Sequence, residues 1–196
     1  MKKNIVYITT AALLAAIHAT PSKAEQAGDA YVGVRTEAVF DGNSEIEGFG
    51  SKGTLEYDTA AGIGGTLGYY IMDQFHVEAD ISWRRRDIDR VSIRGITFNS
   101  GETTSLDTMF NAIYDINTGT QVTPYLGAGI GFSYLTDDDE AAFAYQGLAG
   151  VSYPISENST LYGGYRYFQT ENFDFGPNET VRINSHIAEI GIRFTW

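Results

Sequence analysis

Cysteine is absent from the 196-residue chain, which excludes disulfides, thiolate metal sites and cysteine nucleophiles. Histidine is scarce, at positions 18, 76 and 186, so the sequence assigns no metal site and no cofactor. Lysine and arginine number 13 against 25 acids; with no basic stripe among them, the chain is not a nucleic-acid binder. Proline occurs four times, and no later stretch approaches the ~20 apolar residues of a membrane helix. In contrast, glycine (22), tyrosine (13) and phenylalanine (11) are plentiful. That mixture suits many short, tightly packed strands.

The first residues form a separate unit. Met1-Lys2-Lys3 is a positive start, Ile5 to Ala19 an apolar stretch, and Ser22-Lys23-Ala24 a small-x-small cleavage site before Glu25. Residues 1–24 read as a secretory signal peptide and 25–196 as a single domain. Removing them takes the formal charge from −12 to −15, with 10 bases against 25 acids.

From residue 30 onward the chain alternates with a period of two. In 30–40, Val32, Val34, Ala38 and Phe40 oppose Tyr31, Gly33, Arg35 and Glu37. In 59–72, Ala61, Ile63, Leu67 and Tyr69 oppose Gly62, Gly64 and Gly68. A tight Asp73-Gln74 turn leads to Phe75, Val77, Ala79, Ile81 and Trp83 against His76, Glu78, Asp80, Ser82 and Arg84. Further strands read at 104–116, 122–135, 142–155 and 160–169. In the fourth the second face mixes Asp107, Met109, Asn111, Ile113 and Asp115; in the sixth Leu148 breaks the alternation. The last strand, 183–196, sets Ala188, Ile190, Ile192, Phe194 and Trp196 against Ser185, Glu189, Gly191 and Arg193.

Connections alternate in length. Short turns lie near 73, 118 and 157; long polar loops read at 41–57, 85–103, 136–140 and 171–181, with Val91 to Phe98 in the second a candidate extension of the strands beyond the membrane. Eight two-faced segments joined in this rhythm predict an all-β, eight-stranded antiparallel transmembrane barrel, with short periplasmic turns and four longer extracellular loops. Closure satisfies every backbone polar group and removes the edges. A soluble barrel or sandwich would show the same period with its faces inverted. Aromatics at strand ends favour the membrane: Tyr69, Trp83, Tyr114, Tyr134, Tyr153 and Trp196, with Phe194 beside the last, would face lipid and form the girdles.

The segment Thr123-Pro124-Tyr125-Leu126-Gly127-Ala128-Gly129-Ile130-Gly131 resembles a strand motif of the small bacterial outer-membrane surface-antigen barrels. That is the family of OmpA-type eight-stranded fold that includes the opacity-type, porin-like proteins. Asn111-Ala112-Ile113-Tyr114-Asp115, Tyr162-Gly163-Gly164-Tyr165-Arg166-Tyr167 and Gly191-Ile192-Arg193-Phe194 are similar to its fourth, seventh and eighth strands. The resemblance implies a surface-exposed structural, antigenic or adhesive protein in the outer membrane of a Gram-negative bacterium, and no reaction. Its partners would be membrane lipid and lipopolysaccharide, the barrel-assembly machinery through the C-terminal strand, and a host surface or matrix molecule at the loops.

The charges on the inward face are Arg35, Glu37, Glu78, Asp80, Arg84, Asp107, Asp115, Arg166, Glu189 and Arg193, with His76 among them. In a narrow lumen they should form a connected network. Six acids against four arginines also allow a small cation-preferring pore. Asp137, Asp138, Asp139 and Glu140 are candidate ligand contacts in a loop. A hydrolase, such as a lipid A-modifying enzyme, is disfavoured: Ser185 and His186 fall on opposite faces of one strand and cannot readily share a proton. The chain reads as non-enzymatic.

Overall fold

The computed structural model describes residues 25–41, 44–48, 51–57, 60–93, 96–136, 140–171, 173–174, 180–181 and 183–196. Of these, positions 41, 44–48, 51–57, 87–93, 96–102, 173–174 and 180–181 are described by backbone alone. The expected signal peptide and Asp137 to Asp139 lie outside the described residues.

Eight strands form the wall: β1 (Ala30–Asp41), β2 (Ala60–Met72), β3 (Phe75–Ile93), β4 (Ile96–Asp115), β5 (Thr123–Leu135), β6 (Glu140–Ser156), β7 (Ser159–Thr170) and β8 (Asn184–Thr195). Each pairs antiparallel with its sequence neighbour, β1 pairs with β8, and the cylinder is therefore closed. The junction is continued by the last residue, whose N–H donates to the Ala30 carbonyl at 3.0 Å. Short turns close one end. In that after β4, Gly119 takes a φ of 71°, and its N–H donates to Asn117 Oδ1 at 2.9 Å.

Which face looks outward is decided by burial. Val34 is 55%, Phe110 64%, Phe132 62% and Ile190 56% exposed, whereas Arg84, Asp107 and Ser185 are wholly buried. A soluble barrel hides its apolar face; this one displays it and encloses its charge, as lipid requires.

Three loop expectations need correction. The stretch 41–57 contains two strands, Ser44–Gly48 and Ser51–Tyr57. In 85–103 the strand extension expected at 91–98 takes in the whole stretch that is described, β3 running 19 residues and β4 20, paired up to Ile93 with Ile96. Between 171 and 181 lie two short strands, Phe173–Asp174 and Thr180–Val181. Antiparallel pairing is a backbone property, so it continues past the point where lipid-driven alternation stops. These strands join edge to edge in the order Phe173–Asp174, Thr180–Val181, Ser44–Gly48, Ser51–Tyr57 and the top of β3. They raise the wall on one side of the loop end.

Leu148 also needs a different reading. It is inward and 5% exposed, on the same face as Ala144, Gln146 and Ser152. Its place in the period is regular; only its chemistry is unusual for the interior.

Candidate functional site

The interior is built by side chains lying across glycines of the neighbouring strand. Arg35 of β1 crosses β2 to reach Asp80 of β3, and a Cβ on Gly64 would stand 2.5 Å from its Cζ. Tyr31 crosses at Gly68, where a Cβ would sit 1.9 Å from its ring. Tyr125 of β5 lies over Gly150 and Gly164 in the same manner. The inward glycines of β2, β6 and β7 are thus seats for large groups rather than the lining of an empty channel.

At mid-height these groups form a connected ion-pair network. Arg35 Nε donates to Glu37 Oε1 at 2.7 Å, and its two Nη atoms reach the Asp80 carboxylate at 2.5 and 2.9 Å. Glu37 and Glu189 are directly opposed across β1 and β8. Arg35 Nε lies 3.2 Å from Glu189 Oε2, and Arg166 Nη2 donates to that oxygen at 2.9 Å. Arg84 spans Glu37 and Asp107, at 2.6 Å to each. Asp107 in turn accepts from the Ser133 hydroxyl. Such groups are tolerable in a low-dielectric interior because every charge has partners; removing one would leave another bare.

Clusters of buried apolar side chains pack beside the network. Towards the loop end stand Val39, Ala60, Met109, Ala144, Phe168 and Ile187, with the Arg84 guanidinium 4.8 Å over the Phe168 ring. Beyond them Leu135, Ala142 and Ile183 form a second layer. Towards the turn end stand Ile113, Tyr125, Leu148 and Tyr162. There Arg193 lies against three rings, 5.2 Å from Tyr31, 5.6 Å from Tyr125 and 4.6 Å from Tyr162. Delocalised charge over ring faces is a favourable use of a buried guanidinium.

The turn end carries its own polar chain. Tyr31 Oη lies 2.7 Å from His76 Nδ1 and donates to Glu78 at 3.0 Å. His76 Nε2 is 3.3 Å from Asp115, and Tyr70 stacks on the imidazole with centroids 4.5 Å apart. Glu25 accepts from Tyr70 Oη at 2.5 Å and from Thr160 Oγ1 at 3.2 Å, so the described chain begins across the mouth.

All eleven inward residues singled out from the sequence are buried inside the wall: Arg35, Glu37, His76, Glu78, Asp80, Arg84, Asp107, Asp115, Arg166, Glu189 and Arg193. Arg86 belongs with them. It is 1% exposed and donates from Nη1 to Ser105 Oγ at 2.9 Å; reading 85–103 as a loop concealed it, although 84 and 86 share a face. Interior arginines therefore number five rather than four among the described residues. Met109 and Ile113 stand inward on the mixed second face read for their strand, and Leu148, read as breaking the alternation, stands inward as well.

The aromatic residues divide by height. Tyr69, Tyr114, Tyr153, Phe194 and Trp196 stand at the turn end, and Trp83 and Tyr134 on the loop-end half, all at least partly exposed on the outer face. Ser185 is buried, while His186 points outward and lies 2.5 Å from Tyr165 Oη; the two side chains are separated by the wall. Glu140 begins β6.

The chain matches the family described as "Outer membrane protein beta-barrel domain" over residues 9–194. It is similar to Major surface antigen 4 of Anaplasma marginale, 31% identical over 104 residues, which is 46% of this chain and 37% of that one. It is also similar to Protein opa of Haemophilus influenzae, 26% identical over 94 residues, 43% of this chain and 74% of the relative. The match thus spans little more than a third of the antigen's length. Among solved structures, OprG of Pseudomonas aeruginosa superposes with a TM-score of 0.69 at 17% identity, covering 89% of this chain and 99% of that one. The outer membrane protease OmpT of Escherichia coli gives 0.52 at 8% identity, covering 92% and 100%; it shares a fold and nothing finer. Inverted burial, closed antiparallel topology and a match across almost the whole described chain agree: this protein belongs to the outer membrane protein beta-barrel domain family and resides in the outer membrane of a Gram-negative bacterium.

Proposed function

We propose that the barrel is a non-enzymatic surface protein that acts at its loop end as an antigen-type or adhesive structure. The observation that carries this reading is the packed interior. Paired arginines and carboxylates fill the middle, with clusters of buried apolar side chains beside them. The relatives point the same way, one being named a surface antigen. With short turns on the periplasmic side, as such barrels are oriented, the raised ladder faces outward among lipopolysaccharide and its bridging cations. The β8 strand, with Trp196 after it, is then the segment presented to the barrel-assembly machinery.

Cells displaying the full barrel should adhere to immobilised host cells or matrix, and cells displaying a loop-trimmed barrel should not. Equal adhesion by both, or adhesion by neither, would overturn the proposal. The pore reading is tested separately: purified protein in a planar bilayer should give no discrete conductance steps, and steps abolished by Glu78→Ala would favour a channel.

A further inference from the structure

The wall ends unevenly, and the step leaves an edge. The pairing of β4 with β5 stops at Ser105 opposite Leu135, while β4 with β3 continues to Ile96. The last bond on the β5 side is the Thr136 N–H to the Thr104 carbonyl, at 3.0 Å. Residues 96–103 therefore have β3 on one side and, among the described residues, no strand on the other. Eight residues at ~3.4 Å each present an edge about 27 Å long. The opposite end of the raised ladder is a two-residue strand, Phe173–Asp174, which leans on β6.

Exposed edges attract other chains, and proteins usually guard them with lysine, proline or a bulge. The stretch Ile-Thr-Phe-Asn-Ser-Gly-Glu-Thr has neither lysine nor proline, and its pairing with β3 runs without a shift in register. What could occupy the edge is limited by charge. Stretches 41–59, 87–103, 136–140 and 171–182 together hold 15 acids and four bases, a net of −11 out of the −15 carried by residues 25–196. A second copy would bring two such ends together and be repelled. A basic chain would be drawn in. We infer that the Ile96–Thr103 edge takes an extended, lysine- or arginine-bearing polypeptide segment as an added antiparallel strand, continuing the line of β5 beyond the barrel. Backbone hydrogen bonds supply affinity in this mode and alternate side chains supply selectivity. The inference rests on the surface-binding reading and names its partner class.

The test uses the full barrel in lipid vesicles and a fluorescent ten-residue peptide alternating lysine with threonine or valine. Three measurements separate strand addition from simple attraction. The first compares the peptide with a copy N-methylated at every residue, which keeps the charge and removes the backbone donors along both edges. The second uses a shortened hairpin in which an Asn-Gly turn replaces 91–98, joining Arg90 to its partner Asn99. That change removes one arginine and no acid, so attraction alone predicts tighter binding, whereas strand addition predicts loss. The third checks that the shortened barrel still migrates faster unboiled than boiled on a denaturing gel. At least tenfold weaker binding in both the methylated peptide and the folded shortened barrel is expected. Unchanged or tighter binding in either overturns the inference. If cells with the shortened hairpin still adhere as the full barrel does, the edge is overturned and the surface reading stands. If the full barrel mediates no adhesion while the peptide binds in the edge-dependent way, the surface reading falls and the edge stands.

Discussion

Arg84 shows how much of the interior depends on single groups. It neutralises Glu37 and Asp107 together, and all three side chains are shut away from solvent. Arg84→Ala would take from Asp107 the cation it pairs with and leave Glu37 to Arg35, at a cost of about 3–5 kcal/mol; reversible urea unfolding in vesicles should show this loss. Replacing the pair with matched apolar residues should be far milder, since breaking an ion pair is worse than never having it. The glycine seats make a second case. Gly68→Ala drives a methyl into the Tyr31 ring and should destabilise by about 1–3 kcal/mol. In a Tyr31→Ala background most of that penalty should vanish, a coupling that a double-mutant cycle measures directly. Additive effects would mean the ring moves aside freely.

At the scale of the strand, alternation is the organising fact, and it has opposite consequences on the two faces. Ile130 stands in the middle of β5 and is 58% exposed to lipid, so Ile130→Arg should cost about 2–4 kcal/mol there, read as a lowered urea midpoint. The positions of strands and turns within the membrane were legible in the sequence for the same reason: lipid enforces a strict period on Val32 and Val34, or on Phe75 through Trp83. Beyond the membrane that constraint ends. The tops of β3 and β4 pair through backbone groups that leave no periodic trace, so 85–103 read as a loop and Arg86 was lost with it. Inside the lumen, composition was legible but partnership was not. Arg35 meets Asp80 by crossing a strand, and only the register, together with the glycine at 64, could reveal that. Leu148 was obscured by the expectation that an inward face is polar, while Met109 and Ile113 were legible on a mixed face; a narrow cylinder is packed as a core, and apolar groups fill it equally well.

For the whole molecule, the two rims differ in kind. The turn end is short and tightly bonded, while the loop end carries most of the negative charge and the unequal wall. The chain also contains just two tryptophans, Trp83 and Trp196, and they stand towards opposite ends of the cylinder. Trp83 is eight residues up β3 from the turn, about 21 Å along the axis for a strand tilted ~40°, and Trp196 is 64% exposed at the other end. Each indole therefore reports on one leaflet. With acyl chains brominated at graded depths, quenching should be strongest for bromines near the headgroups and weak for those at the chain ends, and Trp196→Phe should leave the reading from the far leaflet alone. Deep quenching of either residue would place that rim wrongly. The aromatic belts thus give this barrel a built-in optical depth gauge, able to register how lipid thickness shifts its immersion without any attached dye.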